Sequence, residues 1–144
     1  MTLRRRLLQA IALVGLTGVV VSSVSLYHHF STSKTSVCNF GESFNCDVVN
    51  RSSYSTLAGV PVALIGIIGY LLILGLATIY RVKAETPILL LIASTGGLGF
   101  ALYLTYIEKF VLAAWCILCL TSLVLIFSTA VLSAVIAAKL LPKR

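Results

Sequence analysis

Hydrophobic positions along this chain are gathered into four long blocks. Each block is about as long as the ~20 residues that an α-helix needs to cross the hydrocarbon core of a bilayer. The blocks are Leu7–Tyr27, Ala58–Tyr80, Pro87–Ile107 and Leu112–Ala138. The pattern therefore predicts an all-α integral membrane protein, a bundle of four transmembrane helices that uses residues 1–144 as a single domain.

Polar residues connect the blocks, and only one connection is long. Residues 28–57 form a loop rich in Ser, Thr and Asn, whereas "RVKAET" and the stretch around "EKFVLA" are short. Short links make sequential helices antiparallel neighbours. Thr86 followed by Pro87 predicts an N-cap and a first helical position, so the third helix is expected to begin there.

The composition excludes a water-soluble domain. Hydrophobic residues make up 59% of the chain and charged residues 10%, and the mean hydropathy is +1.06. No basic stripe interleaved with aromatic residues suggests nucleic-acid binding. The first block has an alternative interpretation as a signal peptide, with small residues near Ser23–Ser25. Its apolar run is longer than the 7–15 residues usual in such peptides, which favours a retained span.

The basic residues are distributed unequally between the two sides of a four-span arrangement, and this predicts the orientation. On one side lie Arg4, Arg5, Arg6, Arg81, Lys83, Lys139, Lys143 and Arg144; on the other lie Lys34, Arg51 and Lys109. Positive residues favour the cytoplasmic side. We therefore expect a multi-pass protein of the plasma (inner) membrane with both termini in the cytoplasm and the long loop outside.

The four cysteines are expected to meet at the extracytoplasmic face. Cys38 and Cys46 lie in the long loop, and Cys116 and Cys119 lie at the start of the fourth block. Counting the ~20 residues of a membrane crossing back from Lys139 reaches Cys119, near the outer hydrocarbon boundary. Cys116 lies about 4.5 Å further out if the segment is helical. Disulfides persist on this oxidising side of the membrane.

Three interpretations of these cysteines are open: redox exchange, two structural disulfides, or a metal site. A CxxC pair is a poor structural staple because its closed loop is very short. At the first turn of a helix the dipole favours a thiolate, which is the nucleophile in disulfide exchange. Four cysteines can bind zinc, but His28 and His29 lie well before Cys38. Redox exchange is therefore the favoured interpretation, and no metal is expected.

Several motifs together resemble the vitamin K epoxide reductase family. They are "CNFGESFNC", a Ser six residues after the second cysteine (Ser52), "YSTLAGVPVALIGIIGY" and "YLTYIEKFVLAAWCILC". They cover nearly all of the chain from Cys38 to Cys119. The chain ends at "LLPKR", so the resemblance is to the prokaryotic type without a fused thioredoxin-like domain.

The resemblance implies an electron relay. A separate thioredoxin-like (DsbA-like) dithiol protein would deliver electrons to Cys38. Cys46 would exchange with Cys116, and Cys119 would contact a quinone, either ubiquinone, menaquinone or a related naphthoquinone. The expected function is that of a membrane thiol oxidoreductase that supports disulfide-bond formation.

The resemblance also indicates where the quinone would bind. Ser52 lies on a short segment, "VNRSSYS", expected to cap the bundle, and matches a family Ser or Thr near the quinone; an ordinary helix cap is its other interpretation. Tyr106, on the outer end of the third helix, is a further candidate, although an interfacial anchor explains it equally well. Val62 and Leu123 stand where the mammalian enzyme carries an Asn and a Tyr. These departures favour quinone-linked disulfide formation over epoxide reduction.

Two other classes of function stay open. A non-enzymatic four-span adhesion or scaffold protein, of the claudin type, could also keep two cysteines in its first outer loop. That interpretation leaves the CxxC pair unexplained. A thiolate metal carrier would instead contain stoichiometric metal.

Overall fold

The computed structural model describes residues 3–30, 39–40, 44–45, 53, 56–79, 83, 85–113 and 115–140. This part of the chain forms the helices α1 (Leu3–Phe30), α2 (Val62–Thr78), α3 (Thr86–Ile107) and α4 (Ile117–Leu140). Within these described residues, three stretches are long and apolar enough to cross a membrane: Leu3–Tyr27, Thr86–Val111 and Ile117–Lys139. The prediction of a helical membrane protein is confirmed. Because α2 is apolar but shorter, the fourth span stays a prediction.

Two small antiparallel hairpins accompany the helices. Strand β1 (Asn39–Phe40) pairs with β2 (Phe44–Asn45), and β3 (Thr56–Leu57) pairs with β4 (Val60–Pro61). The second hairpin turns through Ala58 and Gly59, whose φ angles are +52° and +82°. Such left-handed residues make tight hairpin turns and end helical geometry. For this reason α2 begins at Val62. The hydrophobic pattern alone predicted a start at Ala58.

The junction between α3 and α4 also differs from the predicted one. A π-helical turn, Glu108–Leu112, continues α3, and Ala113 then takes a left-handed conformation with φ +51°. Single π-turns add a residue to a helix and are frequent at functional sites. Consequently α4 begins at Ile117 and not at Leu112, and the chain between the two helices brings Glu108 beside Cys116.

Small residues allow α1 and α2 to pack closely. Gly18 lies directly against the ring of Tyr70, and a methyl group at Gly66 would lie 2.9 Å from the Ser22 hydroxyl oxygen. Residue numbers of the contacting positions increase along α1 while they decrease along α2, so the two helices are antiparallel. A bundle of four successive spans predicts this arrangement.

The buried core runs along the middle of the bundle. Its members come from all four helices: Leu8, Ile11, Tyr70, Ile73, Ala77, Leu90, Ile126 and Ile136. Many outward-facing side chains are large, apolar and exposed, such as Ile68, Ile92 and Val124. In a membrane, lipid tails cover such side chains.

The bundle has two chemically different ends. At one end an Arg4 guanidinium nitrogen donates a hydrogen bond to the Lys83 carbonyl oxygen at 2.7 Å; we call this the basic end. At the other end lie the start of α4 and both cysteines of the CxxC pair; we call this the cysteine end.

Candidate active site

The CxxC pair lies at the first turn of α4. Cys116 directly precedes the helix, and its carbonyl oxygen accepts the Leu120 N–H at 3.0 Å. Neither cysteine of the pair forms a disulfide in the described part of the chain; Cys116 is completely buried and Cys119 is partly exposed. A helix N-terminus presents unpaired N–H groups and the positive end of the dipole, which stabilise a thiolate. The two cysteines are therefore placed where disulfide exchange is favoured.

The two thiols interact unequally. The hydrogen bond with the Cys119 thiol is the main cause of a lowered pKa of Cys116, and it outweighs burial and the nearby Glu108 carboxyl, which act in the opposite direction. Cys116 is thus the thiol of the pair that ionises more readily, with the Cys119 S–H group as its hydrogen-bond donor.

Glu108 completes the site and was missed by the sequence reasoning. Its side chain is 1% exposed, and its Oε2 atom accepts the Cys116 backbone N–H at 3.3 Å. Its Oε1 atom is buried and has no hydrogen-bond partner among the described residues. The carboxyl group also lies close to the Cys119 thiol. One available signal was its place as an acid at the end of an apolar block, since ionisable residues in membrane spans are usually functional.

A cavity of about 390 Å³ opens beside Cys119. This volume lies in the range of roughly 300–1,000 Å³ that is common for small-molecule sites. All four helices contribute to its walls, which are mostly aliphatic side chains and glycines. The polar residues that line it are Ser22, Ser25, Tyr70, Glu108, Cys119 and Ser122.

Tyr70 joins α2 to α4 across this cavity. Its hydroxyl donates to the Ser122 carbonyl oxygen at 2.9 Å and lies 2.8 Å from the Ser122 hydroxyl. The ring is 4% exposed and rests on Gly18 of α1. Nothing in the sequence distinguishes Tyr70 from the other aromatic residues of the spans, because its pairing with Ser122 depends on tertiary packing.

The other predicted binding residues are placed differently. Tyr106 is 59% exposed, does not line the cavity, and has its ring centroid 4.9 Å from that of Phe110. Val62 does line the cavity, so this position contributes an apolar side chain to its wall. A role for Tyr106 in quinone binding stays a prediction, and Leu123 is not among the lining residues.

Three predicted site residues, Cys38, Cys46 and Ser52, lie outside the described residues. Their roles and the capping segment stay predictions.

Comparison with known proteins gives one family. Residues 9–134 match the model of the vitamin K epoxide reductase family, a range that includes the cavity-lining residues and the CxxC pair. A search of curated proteins found no match.

Proposed function

The chain belongs to the vitamin K epoxide reductase family and is therefore a membrane thiol oxidoreductase, and we propose that it oxidises a thioredoxin-like partner with a membrane quinone as the final acceptor. Electrons would pass through two cysteine pairs, and the oxidised partner would form disulfide bonds in other proteins. One observation carries the proposal: the Cys119 side chain lines an apolar cavity at the cysteine end of the bundle. Such a cavity suits a lipid-soluble acceptor.

The residues around the cavity fit a quinone, the acceptor that the family uses in general. Aliphatic walls suit an apolar ring, and a few polar groups can orient its two oxygens. Ser22, Ser25 and the hydrogen-bonded Tyr70–Ser122 pair line the walls, with Glu108 beside the thiols. A bound quinone would supply the capacity to accept two electrons and two protons from the dithiol.

The unequal thiols favour electron flow from the loop pair to the CxxC pair. A Cys46 thiolate would attack Cys116 of the Cys116–Cys119 disulfide and release Cys119. Cys38 would then attack Cys46 and release Cys116. Thiols with a lowered pKa leave faster in disulfide exchange, so the lowered pKa of Cys116 favours this second step.

Burial restricts which thiols can take part. Cys116 has no exposed surface, so an attacking sulfur must displace the groups that cover it. A thiol tethered to the site by the same chain would be present at a high effective concentration, which favours it over thiols in bulk water. The partner would therefore exchange with the loop pair and not with Cys116.

The test is anaerobic reduction of a soluble ubiquinone or menaquinone analogue by the purified protein with a dithiol donor. We expect the wild type to reduce the quinone and Cys119→Ala to fall to the rate measured without protein. Thr121→Ala is a matched control, because Thr121 is exposed on the same helix and its hydroxyl donates to the Ile117 carbonyl oxygen of that helix. A Cys119→Ala protein that retains the wild-type rate would contradict the proposal.

A further inference from the structure

We propose that Glu108 is the proton store of the redox site: it gives its proton to an oxygen of the bound acceptor as Cys116 and Cys119 form a disulfide, and it regains a proton when the pair is reduced. This inference rests on the proposed function above. It assigns to that reaction a further catalytic residue, one that touches the reacting thiols.

The geometry places Glu108 between the thiols and the acceptor. The side chain lines the cavity, its Oε2 atom accepts the Cys116 N–H at 3.3 Å, and the carboxyl lies close to the Cys119 thiol. The buried Oε1 atom has no hydrogen-bond partner in the described part of the chain. Buried polar atoms in proteins nearly always have a hydrogen-bond partner. An Oε1 atom without one therefore indicates that a ligand in the cavity supplies the partner.

The surroundings set the protonation state of Glu108 in each redox state. Nearest among the described titratable groups are Cys116 and Cys119; Tyr70 lines the same cavity but bonds Ser122. The neighbouring Lys109 ammonium lies 5.2 Å from the centre of the Phe110 ring. A buried carboxylate next to a Cys116 thiolate would place two negative charges together, which is strongly unfavourable. In the dithiol state Glu108 is therefore the neutral acid.

The disulfide state removes the thiolate and changes this balance. The Cys116 N–H at the start of α4 can then stabilise a Glu108 carboxylate, since anions are favoured at helix N-termini. The site thus carries one negative charge in both states, on Cys116 in the dithiol state and on Glu108 in the disulfide state.

Atoms and electrons balance in this scheme. The Cys116 thiolate and the Cys119 thiol form the S–S bond and give two electrons to the quinone. The two protons of the hydroquinone come from Cys119 and from Glu108. In the return step the loop dithiol gives two electrons to the disulfide, and its two protons go to Cys119 and Glu108. No proton has to enter the cavity from bulk water.

Infrared difference spectroscopy of the full-length, quinone-free protein tests the stored proton directly. We expect the dithiol state to show the C=O stretching band of a neutral carboxylic acid that the disulfide state lacks. Glu108→Gln removes this band and keeps an acceptor for the Cys116 N–H. Glu85→Gln retains the band, because Glu85 is exposed at the basic end. A wild-type spectrum without the band, or its persistence in Glu108→Gln, would overturn the proposal.

Turnover gives a second readout. General acids contribute roughly 10²–10⁴-fold to a rate, so we expect Glu108→Gln to lower quinone reduction about 100-fold or more and Glu85→Gln to leave it unchanged. Glu108→Asp keeps a titratable group and should retain both the carboxylic-acid band and an intermediate rate of quinone reduction. If the Gln variant does not fold, the Asp variant tests the proton store in its place. A wild-type rate in folded Glu108→Gln would refute the proton store alone. Loss of the Cys119 requirement would refute the proposed function itself.

Discussion

At the scale of single residues, the site concentrates three ionisable groups where one helix begins. The Cys116 backbone N–H donates a hydrogen bond to the Glu108 carboxyl group, and a second hydrogen bond joins the two thiols of Cys116 and Cys119. A thiolate at a helix N-terminus is favoured, but a second charge beside it is not. The chemistry therefore depends on which of the three groups carries the single negative charge.

The Cys119 thiol should control the pKa of Cys116. In a protein with Cys38→Ser and Cys46→Ser, we expect Cys119→Ala to raise the pKa of Cys116 because the main stabilising hydrogen bond is lost. Cys119→Ser keeps a donor and should retain most of the lowered pKa. Thiolate ultraviolet absorbance followed against pH measures both variants. Equal titration of the Ala and Ser variants would contradict the assignment.

The same hydrogen bond has a consequence for stability. Because the folded-state pKa of Cys116 is lowered, the thiolate stabilises the reduced protein at pH values above the unfolded-state pKa. This contribution is lost as the pH falls through the folded-state value.

The cysteines were predicted from the sequence, whereas Glu108 was not, because its only signal, an acid at the end of an apolar block, has a second interpretation. Two cysteines at CxxC spacing specify a chemistry by themselves, and the apolar block after them specifies a helix start. Glu108 stands in the run "IEKFVL" with Lys109 beside it, a pattern that indicates an ordinary polar connection. Glu108 continues the face of α3 on which Gly97, Ala101 and Leu104 line the cavity, but a helix that is apolar on all sides has no hydrophobic periodicity that would reveal which face meets the cavity.

At the scale of elements, the helices were predictable in their middles and not at the cysteine end. The apolar blocks fix the existence of α1, α3 and α4 because only an uninterrupted apolar helix satisfies its backbone in lipid. At the cysteine end the boundaries depend on Ala58 and Ala113, alanines in left-handed conformations. Alanine is ordinarily a strong helix former, so its sequence preference points the wrong way at both positions.

Close packing of α1 on α2 should depend on one glycine. A methyl group at Gly18 would clash with the Tyr70 ring, whereas one at Gly15, a turn earlier, would meet Ile73 and Leu74 at an ordinary 3.6 Å. Overpacking typically costs about 1–3 kcal/mol. We expect Gly18→Ala to lower the free energy of unfolding by that amount and Gly15→Ala to leave it nearly unchanged.

Denaturation in detergent measures this difference. Since Tyr70 lines the cavity and bonds Ser122, Gly18→Ala should also weaken quinone binding, seen as a higher Michaelis constant. Equal stability of the two alanine variants would show that the helices separate freely at this point.

At the scale of the whole molecule, charge and redox chemistry are separated by the length of the bundle. Arg4 bonds the Lys83 carbonyl oxygen at the basic end, while the CxxC pair and its cavity lie at the cysteine end. This separation agrees with the unequal distribution of basic residues in the sequence, which favours a cytoplasmic basic end. The thiols would then face the compartment in which disulfides are made.

Labelling with a membrane-impermeant maleimide tests this orientation in intact, reduced cells. We expect Cys46, in a variant in which the other three cysteines are serine, to react without permeabilisation, because the distribution of basic residues predicts that the loop lies outside. A second variant with Lys83→Cys as its single cysteine is the matched control: position 83 is exposed at the basic end and should react only after the membrane is permeabilised. The physical reason is the cost of moving several basic residues across the membrane against the preference for the cytoplasmic side. The reverse pattern, with position 83 labelled first, would place the redox site in the reducing cytoplasm and remove the basis for its role in disulfide formation.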